Sequence, residues 1–296
     1  MQIPINDIYN EDGLVSALMS DAFSGYKNTY HLMPGLSITQ QEVKCSQDTL
    51  FFEEAKSGIY FSVLANQTVH SPADFDSLQI SYFDHDVAGE FEVKKGEVRS
   101  LIQAHFDPEL LANALSELPD NLMAFFKTLM HKISPTKNVV CLPVTDRNHT
   151  NIKSLMEINA QKQLSLVGQV YAFAFLALEQ MQTLSHMLSC NDCQSKLFNV
   201  QNLLEADIGK TKELTEFAYQ AGLNADALEL GFYHLVGHTI TQYRDQARLK
   251  RAAAMLRTDQ YSRSEIVAKT GFSEDQFEAM FIRQFGVPTN QYGQVH

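Results

Sequence analysis

Gly222 to Gly237 reads GLNADALELGFYHLVG, and 49 residues further on Gly271 to Gly286 reads GFSEDQFEAMFIRQFG. Laid over one another, the stretches pair Gly222 with Gly271, Leu223 with Phe272, Asn224 with Ser273, Leu228 with Phe277, Phe232 with Phe281 and Gly237 with Gly286. Apolar positions meet apolar positions throughout. A short apolar-periodic segment precedes each glycine, Leu214 to Ala218 in the first copy and Glu265 to Ala268 in the second. The glycine supplies a tight turn, because it alone takes left-handed backbone without strain. Asn224 or Ser273 then caps a following helix by accepting from a free backbone N–H. Ser273 with Gln276, and Ser262 with Glu265, also have capping-box spacing. Leu228, Phe232 and Val236, matched by Phe277, Phe281 and Phe285, recur every fourth residue, one buried stripe that leaves the opposite face outward.

Each copy thus has the grammar of a helix-turn-helix. Two such units joined by one helix, Thr239 to Arg257, resemble the DNA-binding domain of the AraC/XylS family of bacterial transcription regulators. Within it, Gly231 and Phe232, Gly237 to Ile240 and Tyr243 to Leu249 resemble the branch that includes regulators of siderophore uptake. The likeness covers residues 200 to 292 and rests on two units at fixed spacing. It implies a sequence-specific DNA-binding regulator that is not an enzyme. The partners it implies are double-stranded DNA, a small-molecule effector bound in the N-terminal domain, a second copy in a homodimer and RNA polymerase. No membrane partner and no cofactor are expected.

Of 296 residues, 45% are hydrophobic and 20% charged, which suits a globular chain of two or three domains. The start, MQIPINDIYNEDG, has no basic segment followed by an apolar run, so a cytoplasmic location is expected. Cys45, Cys141, Cys190 and Cys193 are too few and too irregularly spaced for a disulfide framework. The net charge of −12 looks wrong for a nucleic-acid binder, but residues 1 to 195 carry −11 of it and residues 196 to 296 only −1.

The expected fold is α+β. Short runs such as Leu50 to Phe52, Ile59 to Leu64, Ser77 to Phe83 and Glu97 to Gln103, broken by Gly, Pro, Asn and Asp, read as strands. Standing ahead of an AraC-like region, they look like a cupin-like β-barrel or sandwich that senses an effector, residues 1–118. Asp107-Pro108-Glu109 begins a helical segment with an N-cap, a proline at the first helical position and an acid favoured by the dipole. Residues 119–195 form the rest of it, a connector and dimerisation segment. Its last helix, from Gln163 to about Ser189, shows Leu164, Val167, Tyr171, Phe175, Leu178, Met181 and Leu188 near one face. So broad an apolar girth needs cover on more than one side, either from the same subunit or from a dimer seam. Ser134 to Thr145 reads as irregular, and Asn191 to Asn202 as a polar linker to the DNA-binding domain, 196–296.

The second helix of each unit should lie in the major groove. Its outward positions are Ala225, Asp226, Glu229, Leu230 and Tyr233 in one unit and Glu274, Asp275, Glu278 and Arg283 in the other. Acidic groups can accept from cytosine but repel phosphate, so phosphate contacts are expected from Arg244, Arg248 and Arg251 at i, i+4, i+7, with Lys250, Lys212, Arg263 and Lys269. The competing reading of such charges is a solvated helix face. If DNA reading has weakened, the chain is a regulator-derived module that binds protein.

Cys190-Asn-Asp-Cys193 is a lone CxxC, with His186 one helical turn before it. It reads as a redox pair or metal sensor, or as two ordinary thiols at a helix end; zinc wants four ligands and only three are local. His70, His85 and His105 lack the HxH spacing and following Glu of a metal-binding cupin, so no metal is assigned to them. No GxSxG elbow, Walker loop or HExxH is present.

Overall fold

The computed structural model describes residues 2–135, 138–158, 163–206, 213–258 and 260–292, which fall into two compact units, Met1–His186 and Met187–His296. Among the described residues the first carries the strands β1 (Gln2–Pro4), β2 (Phe23–Met33), β3 (Leu36–Cys45), β4 (Thr49–Ala55), β5 (Gly58–Ala65), β6 (Ser77–Phe83), β7 (Val87–Val93), β8 (Val98–Phe106) and β9 (Val139–Leu142). Six of them form one sheet in the order β2-β3-β8-β5-β6-β9, and the others a second sheet in the order β1-β4-β7. Alternation explains the faces. Along β6 every second residue is buried, Leu78, Ile80 and Tyr82, whereas β5, paired on both edges by β6 and β8, is buried along nearly its whole length.

Between the sheets lies a core of Phe23, Val43 and Cys45 from one and Phe51 and Val93 from the other, closed by Ile5 and Ile8. Three of the strands expected from sequence fall inside β4, β5 and β6, and the fourth, Glu97 to Gln103, begins one residue before β8. Ser134 to Thr145, expected to be irregular, instead contains β9, which pairs Val140 with Ile80 and Leu142 with Leu78. A run of four residues is a strand only because an edge of β6 is there to receive it.

Helices α1 (Pro108–Ala114), α2 (Pro119–Ile133), α3 (Asp146–Met156) and α4 (Gln163–Ser189) follow β8, with β9 between α2 and α3. Asp107 caps α1 by accepting from the Glu109 N–H. Among the described residues of α4, Leu166, Val170, Phe173, Ala174, Ala177, Leu178, Gln180, Met181, Leu184, Ser185 and Met187 are buried. Of the stripe expected, Leu178 and Met181 are buried, whereas Val167, Tyr171 and Leu188 are half-buried and Phe175 is exposed; the side chain of Leu164 lies outside the described residues. Tyr171 still has a partner, the ring of Phe106 at 5.2 Å.

Polar groups lock α3 to α4 and to the sheet. Fully buried Asn148 donates to Gln180 Oε1 at 3.0 Å, and Gln180 Nε2 donates to Thr145 Oγ1 at 3.0 Å. Buried Gln40 of β3 donates to the Leu155 carbonyl at 2.7 Å. Buried donors and acceptors cost free energy unless paired, so the arrangement fixes one register of α3 against its neighbours. Gln180→Ala leaves Asn148 and Thr145 each short of a buried bond and is expected to destabilise the first unit by about 2 kcal/mol. Denaturant unfolding followed by a probe in this unit reads the change, and a loss indistinguishable from zero would mean the network is not stabilising.

Candidate nucleic-acid interface

Two helix-turn-helix units stand in the second unit of the chain. In the first, α6 (Leu214–Ala221) ends at Gly222 with φ 65°, and α7 (Ala225–Val236) begins at Asn224, whose side chain accepts from the Ala227 N–H at 2.7 Å. The second repeats the pattern: α9 (Arg263–Thr270) ends at Gly271 with φ 74°, and α10 (Glu274–Phe285) is capped by Ser273. Both turns use the left-handed region that favours glycine. Ser262 and Glu265 close the capping box at the start of α9.

Helix α8 (Ile240–Thr258) joins the units and enters both cores. Ile240 packs with Phe217, Leu228 and Phe232 of the first, whereas Leu249, Ala252, Ala253 and Met255 pack with Ile266, Phe277 and Phe281 of the second. A short α11 (Thr289–Tyr292) closes the second core with the Tyr292 ring, 5.1 Å from Phe281. The stretch expected as a linker is α5 (Asn191–Ala206). Its Leu197, Val200 and Leu204 recur at i, i+3, i+7 and join the first core, so the polar residues between them are its solvent face. Gly231 of α7 lets α5 approach closely, since a Cβ there would come within 2.8 Å of Leu197 Cδ1.

The expected reading residues divide. In α7, Ala225, Asp226 and Tyr233 are half-buried, but Glu229 is only 8% exposed and Leu230 fully buried. The outward assignment of those two is therefore corrected. With Leu228, Leu230 and Phe232 buried together, the helix is covered over more of its girth than its Leu228–Phe232–Val236 stripe implies. In α10, Glu274, Asp275 and Arg283 are exposed and Glu278 is half-buried. Glu278 accepts from the backbone N–H and hydroxyl of Thr289 at 3.1 and 2.7 Å, and Arg263 reaches Glu278 at 3.0 Å and Glu274 at 3.5 Å. These bonds hold the Glu278 carboxyl below its usual range against an opposing effect of desolvation, the largest single influence on it.

The expected phosphate contacts divide in the same way. Arg251, Lys250 and Lys269 are exposed and Arg244 is half-buried; Lys212 lies outside the described residues. Arg248 is 4% exposed, 3.6 Å from Asp245 and 5.8 Å over the Phe272 ring, so its assignment to phosphate is also corrected. On α8 it shares the inward face with Ala252 and Met255, four and seven residues on, while Arg251 stands at the rim. Burial lowers the pKa of Arg248 and raises that of Asp245, each opposed by the attraction of the other.

One further set escaped the sequence reading. Between the sheets of the first unit, Arg99 lies directly opposite Val43 on β3, with its guanidinium 3.9 Å over the Phe91 ring. Its NH1 and the Oε1 of Gln41 are buried and find no hydrogen-bond partner among the described residues. Gln41 Nε2 donates to Tyr9 Oη at 3.3 Å, and burial pushes the Tyr9 hydroxyl up to about 12. Tyr9 and Lys27 also line an open pocket of 420 Å³ with Asn6, Asn10 and Asn28. The signal was present: Gln41 stands in the same alternation as core residues Val43 and Cys45, a polar group on an apolar face.

Arg248→Ala would leave Asp245 half-buried without its nearest cation, and is expected to destabilise the second unit of the chain by about 3 kcal/mol. Thermal unfolding of the variant checks this. A stability equal to the parent's would show that Arg248 is not part of the structural frame.

A family model described as a helix-turn-helix domain matches residues 217–294. The transcriptional activator RhaR of Yersinia pseudotuberculosis is 28% identical over 96 residues, 32% of this chain and 33% of that protein. The chain thus spans about a third of the length of the curated relatives it matches. An AraC-type DNA-binding-domain regulator from Chromobacterium violaceum is 26% identical over 34% of this chain and 91% of that one, with a TM-score of 0.32. ToxT of Vibrio cholerae, solved with an unsaturated fatty acid, is 11% identical over 89% of this chain and 96% of that one, with a TM-score of 0.30. With its twin units and joining helix, the C-terminal region of this chain is a helix-turn-helix domain similar to AraC-type DNA-binding domains.

Proposed function

We propose that this chain is a transcription regulator that binds double-stranded DNA through its twin helix-turn-helix units and answers to a small molecule held in the N-terminal unit. The observation that carries the reading is α8, one helix built into the cores of both units. It sets α7 and α10 at a defined separation, as reading adjacent major-groove segments requires. That the Yersinia relative is a transcriptional activator supports the same reading.

The electrostatics ask for a particular kind of binding. Glu274 and Asp275 at the start of α10 repel phosphate, and Arg263 is engaged with two carboxylates, so the attraction comes from Lys250, Arg251, Lys269 and Arg283. A few phosphate contacts give modest affinity, and burial of Glu229 and Leu230 means that α7 must shift to offer those positions to bases. An effector supplies a reason for such a shift if it binds the two arrangements unequally. Arg99 and Gln41 offer its polar end an unengaged donor and acceptor.

A second reading, a regulator-derived module that binds protein rather than DNA, is favoured by the acidic start of α10. Fluorescence anisotropy with duplexes from upstream of the chain's own gene separates the two. Binding is expected at low salt, and Lys250→Ala with Arg251→Ala should reduce the slope of log affinity against log salt by about 2. Absence of binding at low salt, with or without candidate effectors, would favour the second reading.

A further inference from the structure

The CxxC lies at the start of α5, where the first helix-turn-helix core begins. Cys190 is the residue before the helix, and its sulfur occupies the position of a capping oxygen: the Cys193 backbone N–H donates to Cys190 Sγ at 3.2 Å. The two sulfurs lie within 4.8 Å of each other. Residues three apart on a helical turn have Cβ atoms roughly 5 to 6 Å apart, so a small adjustment reaches the separation a disulfide needs.

The two thiols differ in a useful way. Cys190 is partly open to solvent, whereas Cys193 is 8% exposed and packs in the core with Leu197, Phe217, Leu228 and Phe232. The hydrogen bond from the Cys193 thiol holds the Cys190 pKa below that of an ordinary thiol, helped by the Cys193 backbone N–H. Giving that bond raises the pKa of Cys193. A thiolate held at a helix start is the attacking partner, and a neighbour that keeps its proton is the resolving one. Lys196, 2.8 Å from Asp192, offsets the acid between the cysteines.

We propose that Cys190 and Cys193 are a dithiol–disulfide switch in the first helix-turn-helix unit, oxidised by a low-molecular-weight disulfide. Cys190 thiolate attacks one sulfur of that disulfide, forming a mixed disulfide and releasing one thiolate. Cys193 then loses its proton and attacks Cys190 Sγ, forming the internal disulfide and releasing the second thiolate. The two protein thiols are oxidised, the small disulfide is reduced to two thiols, and no other reactant is needed. Drawing Cys193 towards Cys190 moves a side chain out of the core that seats α7, so the oxidation state is read where the first reading helix is held. The inference does not depend on DNA binding.

Full-length protein is equilibrated across ratios of glutathione disulfide to glutathione with a chelator present, quenched by alkylation and mapped by mass spectrometry. The peptide containing both cysteines is expected to lose its two alkylation sites together, with a mass deficit of two hydrogens. Cys193→Ser should accumulate a glutathione adduct on Cys190, formed on the order of tenfold faster than on exposed Cys141. Cys190→Ser keeps a capping hydroxyl, is expected to fold, and should form no internal disulfide. Both cysteines remaining alkylatable at every ratio, or an adduct on Cys141 with none on Cys190 in Cys193→Ser, would overturn the proposal.

Discussion

The C-terminal region depends on one constraint: a single uninterrupted helix must satisfy two hydrophobic cores at once. Ile240 at one end of α8 completes the core under α7, and Leu249, Ala252, Ala253 and Met255 complete the core under α10. A helix rises about 1.5 Å per residue and turns 3.6 residues per cycle, so the separation and relative rotation of the two cores follow from the positions of those residues. Buried Arg248 and half-buried Asp245 sit between them, with Arg248 against Phe272 at the second turn. Charge is spent there on the frame rather than on the exposed surface.

Much of this was legible because its signals are local. The αL glycines at 222 and 271, the capping side chains of Asn224, Ser262 and Ser273 and the fourfold spacing of Leu228–Phe232 and Phe277–Phe281 each act within one or two turns. Strands β4, β5, β6 and β8 announced themselves by apolar runs between breaks. What the sequence hid is what depends on distant partners. Helix α5 looks polar because many of its residues face solvent while Cys193, Leu197, Val200 and Leu204 meet the core; β9 exists only beside β6. Arg248 and Glu229 were misplaced for the same reason, since periodicity says which residues share a face but not how wide the covered face is.

In the first unit, apolar and polar groups divide the labour. The sheets close over Phe23, Phe51 and Val93, while Gln40, Asn148, Thr145 and Gln180 specify how helices meet them. Against that background Arg99 and Gln41 stand apart, because their buried NH1 and Oε1 are not engaged as those groups are. A fold that pairs its other buried amides so thoroughly carries these two at a cost of desolvation, which fits a place prepared for something with its own donor and acceptor.

The body that folds at the C-terminal end is larger than the stretch that the family model matches. The family match begins at residue 217, yet Leu197, Val200 and Leu204 of α5 supply one wall of the core that Phe217, Leu228 and Phe232 build. Gly231 marks how tightly that wall is seated, for the missing side chain is what lets Leu197 in. A fragment trimmed to the start of that match would therefore leave apolar surface bare on α7. The stretch matched as a motif and the stretch packed as one core have different edges in this molecule.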